Sequence, residues 1–157
     1  MSVDIDEYKR QLEEFTKKAV PQSAIDYQMA IVRQLYMFMV TFTPVDTGAL
    51  RGNWKVSVGR KPTGSSKSRK TDATQTGAPP TAQEIAQVTA IAKTLKVANL
   101  GQTVWIGNLV NYAKFIEFGY THVSGKKMKP FAMMQKARHS TLEKIISGNV
   151  RWQNIGS

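Results

Sequence analysis

The sequence contains no cysteine and only two histidines in 157 residues. Without cysteine the chain has no disulfide, no zinc–thiolate site and no cysteine nucleophile. This absence is consistent with a reducing cytoplasm, where proteins are stabilised without disulfides. We expect a chain of this length to fold as a single domain, residues 1–157, around one apolar core.

Long apolar runs are also missing. The most apolar stretch, residues 30–42, is interrupted by Arg33 and Gln34 and is shorter than the roughly 18 residues that a membrane span requires. The N-terminal segment is acidic and lacks the apolar centre of a signal peptide. We therefore expect a soluble, unprocessed protein with no membrane partner.

Acidic residues are scarce, with 11 against 22 basic residues and a formal net charge of +11. This charge attracts polyanions such as nucleic acid, acidic proteins or anionic membrane surfaces. The alternative is that the exposed charge only keeps the protein in solution. Because no zinc finger, clear helix-turn-helix or RNP-type strand occurs, we expect any contact with nucleic acid to be with phosphate, without sequence readout.

Residues that support catalysis or metal binding are not grouped. His122 lies in a polar segment and His139 in a predicted helix, so neither has an evident nucleophile beside it. The acidic residues are scattered, and no Gly-x-Ser-x-Gly elbow, phosphate-binding loop or dinucleotide fingerprint occurs. We predict that the protein is not an enzyme and has no cofactor and no metal site.

Apolar residues at helical spacing predict two N-terminal helices, which form a helical part over residues 1–42. The first covers residues 4–19, with an apolar stripe that includes Ile5, Tyr8 and Leu12. The second covers residues 22–42 and is apolar on more than one side, which favours a central position. Pro44 ends it, because the residue before a proline is pushed out of the helical region.

Residues 43–147 are predicted to form an α+β core with a small, mostly antiparallel sheet. Alternation from Trp54 predicts a strand, and residues 102–107 predict another. Between them lie a long, mobile basic loop (60–80) and an inserted helix (81–96) that begins with a Thr81–Glu84 capping box. A short aromatic segment (110–118), a second basic loop (120–129), a C-terminal helix (130–147) and a tail (148–157) complete the chain.

Three motifs follow one another in this core. The turn Thr43–Arg51 reads TPVDTGALR, the segment Val110–Gly119 reads VNYAKFIEFG, and Lys129–Phe131 reads KPF at the start of the last helix. Taken together, this order resembles the neck and tail-completion (head–tail joining) proteins of tailed bacteriophages, the class that includes minor tail protein Z. The resemblance covers roughly residues 43–146.

The resemblance implies a structural protein of the virion, assembled in the host cytoplasm and located in the neck. It implies a ring of six copies, or of twelve, that completes the tail and joins it to the head. The implied partners are other neck proteins, the tail terminator or the tail tube. Since a closed ring uses head-to-tail contacts, each subunit has to offer two different surfaces.

The motif residues are interpreted as structural. Asp46 and Thr47 are expected to bond local backbone, and Tyr112, Phe115 and Phe118 to pack in the core. Glu117, if buried, requires a partner, for which Arg51 is the candidate, within one subunit or across a boundary. The complete set of structural motif residues is Pro44, Asp46, Thr47, Gly48, Leu50, Arg51, Trp54, Tyr112, Glu117, Gly119, Pro130 and Phe131.

The basic loops are the predicted contact surfaces, facing either DNA in the channel or an acidic partner protein. Their residues are Arg60, Lys61, Lys67, Arg69, Lys70, Lys126, Lys127 and Lys129. The net charge also permits a different function, that of a free nucleic-acid-binding protein without sequence specificity.

Overall fold

The computed structural model describes residues 5–14, 17, 20–64, 73, 75–93 and 100–150. The helices and strands in these ranges alternate along the chain as follows: α1 (Ile5–Glu14), α2 (Val20–Phe42), α3 (Ala49–Gly52), β1 (Trp54–Val58), α4 (Ala82–Ala92), β2 (Val104–Asn108), α5 (Ala113–Phe118), β3 (Tyr120–Thr121), β4 (Lys127–Met128) and α6 (Met133–Ile146). The predicted α+β class is confirmed.

Helix α2 is the element around which the described core is built. It begins at Val20, with Pro21 in its first turn, where a proline costs no helical hydrogen bond. Its buried side chains recur every three or four residues: Ile25, Met29, Val32, Tyr36, Met39 and Val40. Helices α6 and α4 pack against it, which agrees with the central position expected from its apolar surface.

The sheet covers another face of α2. Strands β1 and β2 are antiparallel, with Val56 opposite Ile106 and Val58 opposite Val104. These four side chains pack against the N-terminal half of α2, so the alternation that begins at Trp54 marks the face toward the helix. Each apolar side chain fully removed from water here contributes about 1.5–3 kcal/mol of stability.

Helix α6 buries a different face from the expected one. Its buried residues are Met133, Ala137 and Thr141, while Met134 and Leu142 remain exposed. Apolar residues occupy two neighbouring faces of this helix, so their spacing alone did not identify the buried one. The helix also begins at Met133 rather than at Pro130.

The predicted second basic loop is instead a hairpin, in which β3 pairs with β4 in antiparallel register. The first helix is confirmed over Ile5–Glu14, and the inserted helix over Ala82–Ala92. Several predictions fall on residues outside the described ranges: the Asp4 end of the first helix, the end of the inserted helix after residue 93, most of the loop 65–74, and the tail from residue 151.

Candidate functional site

The first motif segment (Thr43–Trp54) folds as a turn leading into a short buried helix. Gly48 has φ of 77°, a conformation that residues with a side chain disfavour. The Gly52 N–H donates to the Gly48 carbonyl at 3.0 Å, and Leu50 enters the core. Of the two polar turn residues, Thr47 accepts a long bond of 3.4 Å from the Ala49 N–H, whereas Asp46 lies at the surface.

Trp54 closes the segment with a buried chain of hydrogen bonds. Its indole N–H donates to the Thr43 hydroxyl at 2.7 Å, and that hydroxyl donates to the Met39 carbonyl at 2.6 Å. Thr43 and Trp54 are both buried. The residue before Pro44 therefore both ends α2 and satisfies the only polar atom of the tryptophan side chain.

Arg51 is fully buried, and its partner is Glu84 rather than Glu117. Its Nε and Nη2 donate to the two carboxylate oxygens of Glu84, each at 2.9 Å. Nη1 donates to the Ala78 carbonyl and Nη2 also donates to the Pro79 carbonyl, again at 2.9 Å. The planar guanidinium thus clamps the end of the basic loop and the start of α4 to the first motif segment. The predicted Arg51–Glu117 pair is wrong within one subunit.

Glu84 serves two structural features at once. Its carboxylate accepts from the Thr81 N–H at 2.9 Å, and its own N–H donates to the Thr81 hydroxyl, which confirms the predicted capping box. Tyr36 lies beside this pair, and burial raises the pKa of its hydroxyl well above the usual range; the Glu84 carboxylate acts in the same direction, and Arg51 opposes it. The tyrosine therefore stays neutral and donates to Gln87 at 3.3 Å.

Glu117 in the second motif segment (Tyr112–Gly119) is also buried, but no cation neutralises it in the described part of the chain. Its carboxylate accepts from the Met134 N–H at 3.0 Å and from the Gln135 N–H at 3.4 Å. These are free donors in the first turn of α6, whose N-cap residue, Ala132, provides no side-chain cap. The carboxylate therefore caps α6 from a neighbouring helix, at the end where the helix dipole favours negative charge.

Gly119 ends α5 in a position that no other residue fits. Its φ is 74° and its ψ 170°, in a region essentially restricted to glycine. A β-carbon there would lie 2.5 Å from the Met128 carbonyl oxygen and 3.0 Å from the Pro130 nitrogen. This close approach lets the chain return along α5, where the Phe131 N–H donates to the Ile116 carbonyl at 2.8 Å.

The aromatic residues of the second motif segment are exposed, so their predicted packing role is wrong for the single chain. Tyr112 and Phe115 are almost half exposed, Phe118 is 77% exposed, and Phe131 is 40% exposed. Only Ile116 of this segment's large apolar side chains packs against the core. The sequence could not distinguish these residues from core residues, because both kinds of surface are rich in Phe and Tyr.

Beside these aromatics lies an apolar groove of about 690 Å³ between α2, β2 and α6. Its floor includes Leu35 of α2 and Ile106 of β2, and its walls include Phe118 and Met134. Arg138 lies at its edge. No motif in the sequence indicated this groove, since it is formed by elements that are distant along the chain.

The predicted basic contact residues are exposed wherever the structure describes them. Lys126, Lys127 and Lys129 lie on or beside the β3–β4 hairpin. Arg60 is exposed, and the Lys61 ammonium lies 5.3 Å from the centre of the Trp105 ring. Lys67, Arg69 and Lys70 fall outside the described residues.

Within the described ranges, no three His, Asp or Glu side chains come together as metal ligands. None of the helices in that part of the chain combines the length and the apolar character needed to cross a membrane. The groove and the exposed aromatic side chains around it are therefore the candidate functional site. Comparison with family models, curated proteins and solved structures finds no match to this chain.

Proposed function

We propose that this protein is a structural component of a bacteriophage neck, a ring that completes the tail and joins it to the head. The observation that carries the proposal is the exposed apolar surface formed by Phe115, Phe118, Phe131 and Met134 beside the groove. Monomeric proteins rarely leave so many large apolar side chains together in water, and such patches mark sites of protein contact.

The composition of this surface favours a protein partner. Phenylalanine, tyrosine and methionine are enriched in protein interfaces, whereas lysine and glutamate are depleted. The lysines of the hairpin lie at the margin: Lys129 directly precedes Pro130, which borders the groove. An apolar centre with a charged margin is the usual arrangement of a protein–protein interface.

The location in a phage neck comes from the three motifs and their order, and the buried network of the first motif supports reading them as scaffold. Arg51, Thr43 and Trp54 have all their polar contacts inside the chain. A scaffold held by such contacts leaves the second motif segment free to serve as a contact surface in a ring.

The test is a phage that encodes this chain with an early stop codon. Without a neck ring, the infected cells should accumulate filled heads and separate tails, visible by negative-stain electron microscopy, and the titre should fall by orders of magnitude. Supplying the chain from a plasmid should restore joined particles. Normal virions without the chain would refute the proposal.

The basic segments have their own role in this proposal, facing DNA in the channel or an acidic partner ring. Changing Lys67, Arg69 and Lys70 together to serine should lower the yield of complete virions without changing the thermal stability of the purified protein. An unchanged titre would remove the basic loop from the mechanism.

The exposed lysines of the hairpin support a second candidate, a nucleic-acid-binding protein without sequence specificity. The two functions differ in solution. A nucleic-acid-binding protein should bind duplex DNA as a monomer, with affinity that falls steeply as salt rises. A ring protein should associate without DNA and depend on salt far less, because its contact surface is apolar.

A further inference from the structure

The apolar groove described above lacks a covering element in the described part of the chain. Met134 in its wall is 47% exposed and Phe118 is 77% exposed. The volume of about 690 Å³ lies in the range of roughly 300–1,000 Å³ typical of clefts that enclose a bound group. The groove therefore has room for several apolar side chains of an occupant.

Helix α1 has the complementary character. Its sequence places Ile5, Tyr8 and Leu12 on one face, and Leu12 is 52% exposed. The helix does not pack extensively on any other described element. Ten residues give a rod about 15 Å long, and such a helix gains most of its stability from packing of its apolar face.

Charge selects between possible occupants. Residues 4–14 contain five acidic and two basic residues, whereas the remainder of the chain contains six acidic and 20 basic residues. Helix α6 beside the groove carries Lys136, Arg138 and Lys144 against one acid, Glu143. Since α1 is the acidic segment of a basic protein, it is attracted to the α6 face of another copy, and such complementarity fixes which surfaces meet.

We infer that α1 of one copy docks in the groove of the next copy, with its apolar stripe against Phe118 and Met134 and its acidic residues near Arg138. This contact joins two different surfaces, as a closed ring requires. The inference rests on the proposed ring and names the contact that builds it. It also gives the exposed aromatics of the second motif segment a partner from within the same protein.

The absence of cysteine allows a direct test by disulfide trapping. Two differently tagged chains, one with Leu12→Cys and one with Met134→Cys, are mixed and oxidised. A disulfide between them is intermolecular by design, and we expect it to dominate the products on a non-reducing gel. A chain with Leu100→Cys, also about half exposed, replaces the Met134→Cys chain as the matched control and should give only background product.

Two results of the trapping experiment would overturn the inference. If Leu12→Cys chains couple mainly to each other, α1 pairs with α1. If the single-cysteine mixture gives no product and a chain carrying both changes forms a monomeric disulfide, α1 covers its own groove.

A second measurement separates this contact from the proposed function. By light scattering, Leu12→Glu and Met134→Glu should each weaken association at least about tenfold, as expected from the loss of one buried apolar side chain. Leu100→Glu, with the same change of chemistry, should associate as the unaltered chain does. A ring that survives both groove-directed changes refutes the α1 contact and leaves the ring itself standing, whereas a neck function is decided separately by the stop-codon phage.

Discussion

Arg51 in the first motif segment and Glu117 in the second are both buried charged side chains, but their surroundings differ. Arg51 forms four hydrogen bonds to Glu84 and two backbone carbonyls, inside a polar network closed on every side. Glu117 caps helix α6 from beneath a surface where Phe115 and Phe118 are exposed. One charge holds the interior together, and the other positions an exposed surface.

This difference indicates that the two motifs serve different purposes. Substitutions in the first should act on folding of the single chain, because every contact they remove lies within it. Substitutions among the exposed residues of the second should act on association, because water already surrounds those side chains in the monomer. The following substitutions test that division, beginning with the largest expected effect on stability.

Arg51→Ala should be the most destabilising change. It leaves the Glu84 carboxylate and the carbonyls of Ala78 and Pro79 without their donor, and breaking a buried ion pair in this way costs about 3–5 kcal/mol. The free energy of unfolding, measured by urea titration with circular dichroism, should fall by that amount. Arg60→Ala, which removes an exposed arginine, is the control and should leave it nearly unchanged.

The same network allows a sharper version. Replacing Arg51 and Glu84 together by methionine removes both charges, so the double variant should be more stable than Arg51→Ala alone. Lysine at position 51 should not rescue stability, because an ammonium cannot reproduce the fork of the guanidinium. A loss below about 1 kcal/mol for Arg51→Ala would show that the network is not what holds the inserted segment.

Gly119→Ala comes next, and it tests the point where the second motif segment does affect folding. The added β-carbon would meet the Met128 carbonyl at 2.5 Å while the backbone keeps a φ of 74°. Strain of this kind costs about 1–3 kcal/mol, read as a lower melting temperature in calorimetry.

Gly125→Ala is the matched control for this clash. Gly125 has a similar φ of 80°, but nothing lies within 4 Å of the β-carbon position. It should therefore lose less stability than Gly119→Ala, since only the backbone term remains. Equal losses for the two variants would mean that the close approach at Met128 is relieved at no cost.

Local patterns predicted much of the fold. The Thr81–Glu84 capping box, the positive φ of Gly48 and the strand alternation from Trp54 each depend on neighbours in sequence, and the structure contains all three. The partner of Arg51 could not be predicted, because Glu84 lies 33 residues away and several acids satisfy the same charge requirement. Such pairings are set by tertiary packing.

Burial of the aromatic residues failed as a prediction for a related reason. Phe and Tyr at helical spacing indicate an apolar face, but not what covers it, and an interface has the same composition as a core. In α6 two adjacent apolar faces compete, and the one with Met133 and Ala137 is buried. The groove follows from these outcomes, because the remaining face of α6 supplies Met134 as one of its walls.

Phe118→Ser should have the smallest effect on the single chain and a large one on assembly. At 77% exposure the side chain loses little burial in the monomer, so the free energy of unfolding should change by less than about 0.5 kcal/mol. Association, measured by light scattering across a concentration series, should weaken because the groove loses a wall. Val123→Ser, at a hairpin residue that is 99% exposed, controls for loss of exposed apolar area and should leave association intact. If Phe118→Ser instead unfolds the chain and Val123→Ser weakens association equally, the second motif segment is part of the folding core and the contrast with Arg51 disappears.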